Sequence, residues 1–386
     1  MPDADLRVAL FSGNYCATKD GAAVALNRLI AYLERQGVET LVFSPTVAHP
    51  AIEPAGTLVP VPSIPVPGRS EYRIAFGLDR ASRRRLDAFR PTLVHVSAPE
   101  LLCLAARRYA LRRGTPLVAS FHTRFDTYFR YYGGRWLERY ATQYLRWFYR
   151  PCIHVYAPSR SMSDELAEAR IGRDIRLWTR GVDASLFRPG RRDLAWRRSL
   201  GFDDADVVVA FVSRLVKEKG LEIYAATLDR LKAAGLPARA LVVGEGPERG
   251  WMEARMPDAV FTGYLAGEAL ARGYASADVF LFPSVTETFG IVTLEAMASG
   301  LAPVCADASG SRSLVQEGET GFLVSHGAID AFADRVGRLV SDRELRSRIA
   351  AAATAAAQVY DWDRAMAAVL GHYREAVGLR PKTGVP

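Results

Sequence analysis

Two carboxylates, Glu287 and Glu295, stand eight positions apart on either side of a turn that ends Glu287-Thr288-Phe289-Gly290. The apolar run 278–282 before the turn predicts a strand, and positions 291–299 predict a helix that Gly300 stops. A helix leaves its first N–H groups without intrahelical partners, so Ile291 and Val292 offer donors to an anion. Gly290 lets backbone come close to a ligand. Carboxylates beside an anion-binding helix start suit a ligand that is negative at one end and rich in hydroxyls elsewhere. A nucleotide-sugar has that shape, with a diphosphate between a ribose and a hexose. Two cations of the right kind, Arg214 and Lys219, follow another apolar run, 207–212. A histidine, His122, follows the apolar run 117–121, with Asp126 four positions on.

These side chains need a frame that brings strand ends together. A strand over 6–11, a loop over 12–21 that contains Gly13 and Gly21, a helix over 22–36 and a strand over 38–44 form a βαβ unit. Its parallel sheet places ligands outside the carboxyl ends of the strands. Further strands are predicted at 93–96, 117–121 and 153–157, then at 207–212, 240–243, 278–282 and 303–306. Gly244 begins a Gly-x-Gly-Pro turn after one of them. The strand and loop over 260–265 contain Gly263 and Tyr264. Four prolines within 60–67 predict an extended surface connection, and 363–377 predicts a helix.

At 386 residues the chain fits two domains. Four scattered cysteines without a Cys-x-x-Cys pair argue against a disulfide framework or a cysteine zinc site, and for a reducing compartment. Six dispersed histidines without His-Glu-x-x-His give no readable metal site. The acidic start is no secretory signal, and no apolar run approaches a membrane span, so a cytoplasmic location is expected. Residues 1–190 hold 27 Lys and Arg against 17 Asp and Glu, whereas the remainder holds 23 against 25. A basic half implies that it meets something anionic, either membrane or nucleic acid. Within it, positions 125–149 carry eleven aromatics interleaved with arginines. From Trp136 the stripe Leu137, Tyr140, Ala141, Tyr144, Leu145, Phe148 has helical spacing. It suits core packing, an interfacial segment on anionic lipid, or single-stranded nucleic acid.

The Glu-x7-Glu spacing, set in Pro-Ser…Glu…Phe-Gly and Leu-Glu-Ala-Met-Ala-Ser-Gly, resembles the signature of the family-4 retaining glycosyltransferases. Arg214 and Lys219 match that family's Arg-x4-Lys pair, and residues 180–189 resemble its connection between domains. The stretch 121–128 is similar to a segment of bacterial lipid-directed members. The resemblance implies an α/β, GT-B fold: two Rossmann-like domains facing a central cleft. The acceptor-side domain would span 1–189, with 363–386 crossing back to it, and the donor domain 190–362. The implied activity is transfer of a hexosyl group from GDP-mannose or a UDP-sugar, with retention, without a metal and without a cofactor beyond the donor. Arg214 and Lys219 would hold the diphosphate with the helix amides, and Glu295 the ribose. Glu287, with the Phe289 and Gly290 backbone, would meet the transferred sugar. His122 would contact that sugar, and Asp126 would help activate the acceptor. Gly21, Gly244, Gly263, Tyr264, Thr288, Ile291 and Val292 would line the donor. Residues 309–313 depart from the family's Gly-Gly and acidic wording, so base and sugar preference do not carry over. The basic aromatic half points to a lipid acceptor on an anionic membrane surface, with the enzyme peripheral on the inner face. A soluble acceptor, a GT-B sugar-nucleotide epimerase and a nucleic-acid-binding module are the alternatives; nucleic acid is not an expected partner of the enzyme.

Overall fold

The structure, a computed structural model, describes residues 6–18, 20–66, 69–122 and 138–378. Two compact units emerge: Met1–Arg180 with Trp362–Pro386, and Gly181–Asp361. The division falls after Arg180 and not after Pro189, because Val182 and Phe187 already pack in the second unit's core. The Val182 N–H also donates to the Tyr360 carbonyl at 2.9 Å, which ties the two crossings of the chain together.

In the first unit short apolar runs form β1 (Arg7–Phe11), β2 (Glu39–Ser44), β3 (Thr57–Pro60), β4 (Ser63–Val66), β5 (Arg69–Ala75), β6 (Leu93–Val96), β7 (Leu117–Ser120), β8 (His154–Ala157) and β9 (Ile175–Leu177). Seven of them make one parallel sheet in the order β3-β2-β1-β6-β7-β8-β9. Every residue of β6, β7 and β8 is buried, as a parallel sheet covered on both faces requires. The proline-rich connection is more than an extended link: β4 and β5 close into an antiparallel hairpin, with Ile64 opposite Ile74. Pro65 is tolerated there because each strand of a two-stranded ribbon keeps an open edge. The helices are α1 (Gly21–Arg35), α2 (Arg80–Phe89), α3 (Leu101–Arg113), α4 (Glu138–Tyr149) and α5 (Arg160–Glu168). Asp20, Asp79 and Ser159 cap α1, α2 and α5 by accepting backbone N–H bonds.

The second unit contains β10 (Val207–Val212), β11 (Ala238–Val243), β12 (Val260–Gly263), β13 (Val279–Phe282), β14 (Ala302–Ala306) and β15 (Phe322–Val324). They form a parallel sheet in the order β12-β11-β10-β13-β14-β15. Its helices are α6 (Leu194–Ser199), α7 (Leu221–Ala233), α8 (Arg249–Arg255), α9 (Gly267–Ala275), α10 (Ile291–Ala298), α11 (Ser309–Arg312), α12 (Ile329–Ser341) and α13 (Arg343–Ala357). The central pair β10 and β13 is fastened at its lower end by Asp278. This carboxylate accepts the Val208 N–H at 2.8 Å and the fully buried Arg197 guanidinium at 3.1 Å.

The last helix, α14 (Trp362–Gly378), belongs to the first unit. Its Met366, Val369, Leu370, Tyr373 and Ala376 share a core with Leu26, Leu29, Ile30 and Leu33 of α1. Arg28 lies 4.8 Å from the Trp362 ring, and Arg35 pairs with Asp363 at 2.7 Å. Tyr373 reaches under the sheet to His95 Nδ1, while His95 Nε2 meets Ser120 Oγ; both contacts are 2.5 Å. His95 is thus fully buried between β6, β7 and α14, and burial pushes its imidazole down to about 3.

That burial sets a pH dependence. The unfolded chain binds a proton at His95 near pH 6.5 and the folded chain does not, so this share of stability is fully present above pH 6.5. It is lost by about 1.4 kcal/mol per pH unit as pH falls toward about 3. Urea midpoints at pH 7 and pH 5 are expected to differ less in His95→Asn than in the parent. An identical difference would mean that His95 titrates normally in the fold.

Candidate active site

Counted from β10, the second sheet runs 3-2-1-4-5-6, the doubly wound order whose reversal lies between β10 and β13. Ligands of such sheets sit outside the carboxyl ends of the strands at that reversal. The segment after β10 carries Ser213, Arg214 and the short turn Lys217–Lys219. The segment after β13 is Pro283 to Gly290, which leads into α10. Both segments bear the chemistry read from the sequence.

Lys219 Nζ bonds Glu287 Oε1 in a short ion pair and also reaches Thr286 Oγ1 at 3.3 Å. Each partner keeps about a fifth of its side chain exposed (20% and 21%), so both remain open to a ligand. Arg214 is exposed, and its guanidinium makes no ion pair with any described residue. Gly290 starts α10 at φ +91, a conformation that favours glycine, and no side chain caps the helix there. Ile291 and Val292 are half-buried at its first turn, so their N–H groups stand next to the Lys219–Glu287 pair in sequence and sheet position. Glu295 follows one turn on, and the fully buried Tyr274 hydroxyl of α9 donates to its Oε2 at 3.2 Å. Burial raises the Tyr274 phenol, and the Glu295 and Glu287 charges push it further the same way, so it stays a proton donor.

The remaining residues of the turn divide by role. Phe289 is core: it is buried and meets Tyr360 edge-on at 5.7 Å, so only its backbone faces outward chemistry. Thr288 is half-buried. Gly310, at the start of α11, donates its N–H to the Glu287 carbonyl at 3.1 Å, and a Cβ there would stand 2.8 Å from Glu287 Cβ. The Glu287 turn therefore rests on a residue that has to be glycine. Gly244 follows β11, with its N–H on the Gly263 carbonyl at 2.9 Å and the Ser213 carbonyl where a Cβ would be. Tyr264, next to Gly263, is exposed. Arg214, Lys219, Gly244, Gly263, Tyr264, Glu287 and the α10 start thus all belong to one edge of one sheet.

The first unit presents His122 directly after β7. Its Nδ1 lies 2.8 Å from the Arg180 guanidinium, and its ring meets Trp178 edge-on at 5.4 Å. Burial, then the Arg180 charge and His95, holds His122 well below the ordinary histidine range, so it is neutral at physiological pH. Gly21 opens α1, but the Asp20 carboxylate already accepts the Ala22 and Ala23 N–H groups there. The helix start is filled by its own chain. Asp126 lies outside the described residues, as do positions 123–137 of the aromatic stretch. On α4 the aromatic stripe splits: Leu145, Phe148 and Tyr149 are buried, whereas Tyr140, Tyr144 and Trp147 are exposed.

Sequence reading did not single out Tyr274, Arg180, Gly310 or Glu100. Tyr274 looks like an ordinary core tyrosine at helical spacing, and its contact with Glu295 spans 21 positions. Glu100 accepts the Gly13 N–H between β1 and β6, and burial raises its carboxyl above the usual range. Arg180 and Gly310 were visible only as parts of a hinge and of a departure from the family wording.

Two units built on parallel sheets, the second with cations and a glycine-started helix at its reversal point, define a class: a two-domain glycosyltransferase of the GT-B kind that uses nucleotide-sugars. Residues 19–186 match the family model described as Glycosyltransferase Family 4, and residues 193–356 match Glycosyl transferases group 1. A GDP-mannose-dependent alpha-mannosyltransferase of Mycobacterium tuberculosis is 33% identical over 97% of this chain and 98% of its own. The alpha-monoglucosyldiacylglycerol synthase of Streptococcus pneumoniae is 27% identical over 76% of this chain and 70% of its own. The sucrose-phosphate synthase of Thermosynechococcus elongatus shares the fold, with a TM-score of 0.78 at 18% identity, covering 97% of this chain and 99% of that one. The chain belongs to the family-4 glycosyltransferases.

The Tyr274 contact yields a direct expectation. Tyr274→Phe keeps the buried ring and removes the donor that orients Glu295. A hydrogen bond to a charged acceptor contributes about 1.5–3 kcal/mol, so nucleoside diphosphate binding is expected to weaken by about tenfold or more. Calorimetric titration measures it; unchanged affinity together with an unchanged melting temperature would remove Tyr274 from the site.

Proposed function

We propose that the chain moves a hexosyl group from a nucleotide-sugar to a lipid hydroxyl at an anionic membrane surface, with GDP-mannose the first donor to test. The observation that carries this reading is the pairing of an exposed Arg214 and a Glu287-held Lys219 with the uncapped start of α10. The diphosphate binds Arg214, Lys219 and the Ile291 and Val292 amides. Glu295, held by Tyr274, takes the ribose hydroxyls. Glu287, with the Phe289 and Gly290 backbone and Thr288 beside it, takes hydroxyls of the transferred sugar. Gly244, Gly263 and Tyr264 lie where the nucleoside would rest. From the first unit, His122 donates to a sugar hydroxyl, while Gly21, whose helix start Asp20 already caps, is given no contact with the donor.

The chemistry follows from charge. As the bond from the anomeric carbon to the phosphate oxygen breaks, the leaving diphosphate gains negative charge, which Arg214, Lys219 and the amides are fixed to receive. The acceptor hydroxyl attacks from the same face and retains the configuration; Asp126, expected from the resemblance to help activate the acceptor, lies outside the described residues and is given no step. Its proton passes to the departing phosphate, so the products are the glycoside and the protonated nucleoside diphosphate. The cations are the chain's own, and turnover is proposed to be metal-independent.

Support for the lipid acceptor is physical as well as by relationship. The first unit is basic, and Ile64, Ile74 and Phe76 on and beside the β4–β5 hairpin are exposed large apolar side chains. They adjoin in sequence the exposed arginines Arg80, Arg83, Arg84 and Arg85 of α2. Tyr140 and Trp147 add exposed aromatics on α4, with Arg107 4.2 Å from the Trp147 ring. Apolar and aromatic tips among arginines suit the headgroup region. No helix among the described residues is long and apolar enough to cross a membrane. The location proposed with this reading is peripheral, on the cytoplasmic face.

Two measurements bear on this. Arg214→Gln and Lys219→Gln are each expected to lower kcat/KM by about 10² or more, the scale of a lost transition-state donor, while EDTA leaves turnover unchanged. Unimpaired variants, or loss of turnover on chelation, would sink the mechanism. In flotation assays the parent is expected to rise with anionic vesicles but not neutral ones, and a paired Ile64→Asp, Ile74→Asp variant to stay behind. No flotation of the parent would leave a soluble acceptor as the reading.

A further inference from the structure

Arg180 is an expensive side chain. It is only 4% exposed, and among the described residues no carboxylate pairs with it. Burial lowers its guanidinium to about 10, which still leaves it charged at neutral pH. A buried cation without an anion is strongly unfavourable unless its N–H groups find good acceptors. The acceptors are the Trp178 carbonyl, at 2.9 Å from one terminal nitrogen, and His122 Nδ1, at 2.8 Å from the other. The Trp178 ring completes the cage, 5.1 Å from the guanidinium carbon and 5.4 Å from the centre of the His122 ring.

The donor inventory then decides the state of the imidazole. A guanidinium has N–H donors and no acceptor, so the Nδ1 that faces it must offer a lone pair. A neutral imidazole with a lone pair on Nδ1 carries its proton on Nε2. A second proton on Nδ1 would set two donors and two positive charges against each other at 2.8 Å. We propose that Arg180 is a positioning residue that locks His122 in the neutral Nε2–H form, so that His122 serves substrate as a fixed hydrogen-bond donor and never as a proton acceptor or an imidazolium. The idea rests on the reading that His122 meets the transferred sugar, and it sharpens it. The sugar contributes an acceptor oxygen at that point, and His122 takes no part in moving the acceptor's proton. Arg180 is also the last residue of the first unit before the chain crosses, so the lock sits at the chain's exit from that unit.

Nitrogen-15 NMR of the intact, histidine-labelled chain tests this. The chain has six histidines, and the signals missing in His122→Gln identify His122. The expected spectrum shows a protonated Nε2 and an unprotonated Nδ1, unchanged through the pH range in which exposed histidines titrate. An Nδ1–H form, or an imidazolium at neutral pH, overturns the proposal outright. Arg180→Lys keeps one N–H donor and is expected to retain the Nε2–H signature; Arg180→Met is expected to lose it. A folded Arg180→Met chain with the parent's tautomer would also overturn it.

Kinetics separate this from the parent reading. Gln places an amide donor near the position of Nε2, so His122→Gln is expected to keep kcat within about tenfold of the parent, and His122→Ala to fall by about a hundredfold or more. Full activity in His122→Ala would remove His122 from the site while the Arg180 lock still stood on its spectrum. Loss of activity in His122→Gln equal to that in His122→Ala would mean that more than a donor is needed, against the proposal.

Discussion

A departing diphosphate needs its growing charge met by groups that do not have to move, and the reversal point of the second sheet is where this chain is proposed to hold such groups. Strand β10 delivers Arg214 and Lys219, and strand β13 delivers the turn that starts α10. Their spacing is set by backbone pairing, because Val209 and Ala210 register against Val279 and Phe280. Asp278 locks the entry to that pair through Val208 and the buried Arg197. A cation placed by a strand end costs little reorganisation when charge develops, which is the condition for stabilising a transition state more than a ground state.

The groups around the anion site are themselves held by buried contacts. Tyr274 fixes one carboxylate from below, and Gly310 brings α11 against the turn that carries the other. The Lys219–Glu287 contact links the cation proposed for the diphosphate to the carboxylate proposed for the sugar. On that proposal an arriving phosphate shares the ammonium with Glu287, which couples occupation by the donor to the posture of Glu287. In the first unit the same logic appears with opposite charge: a caged arginine holds a neutral histidine.

Much of this was legible in the sequence because a doubly wound sheet writes its site at strand ends. Apolar runs located β10 and β13, and the segments after those strands are short and rich in Arg, Lys, Glu and Gly. The strands β10 to β14 have consistent local signals, and so has α14. Less was legible where a contact is long-range. His95 reaches Tyr373 across 278 positions, and Tyr274 reaches Glu295 from another helix; neither leaves a pattern in a window of one turn. The prolines at 60–67 read as an extended connection because proline lacks an N–H, yet a ribbon with two open edges accommodates them. Gly21 reads as the glycine of a ligand-contacting loop before the helix, but the Asp20 carboxylate already accepts the first free N–H groups there. The aromatic stripe of α4 obeyed helical periodicity only in part, since Tyr140 and Tyr144 turn outward.

The central claim is that the second unit grips its ligand by the pyrophosphate. Titration calorimetry of the full chain with nucleoside diphosphates and monophosphates, in the guanosine and uridine series, addresses it most directly. A pyrophosphate cradle requires the diphosphate of the preferred base to bind at least about tenfold tighter than its monophosphate, with the gap narrowed in Arg214→Gln. Equal affinity for the two, or a gap that survives the loss of Arg214 unchanged, would contradict it.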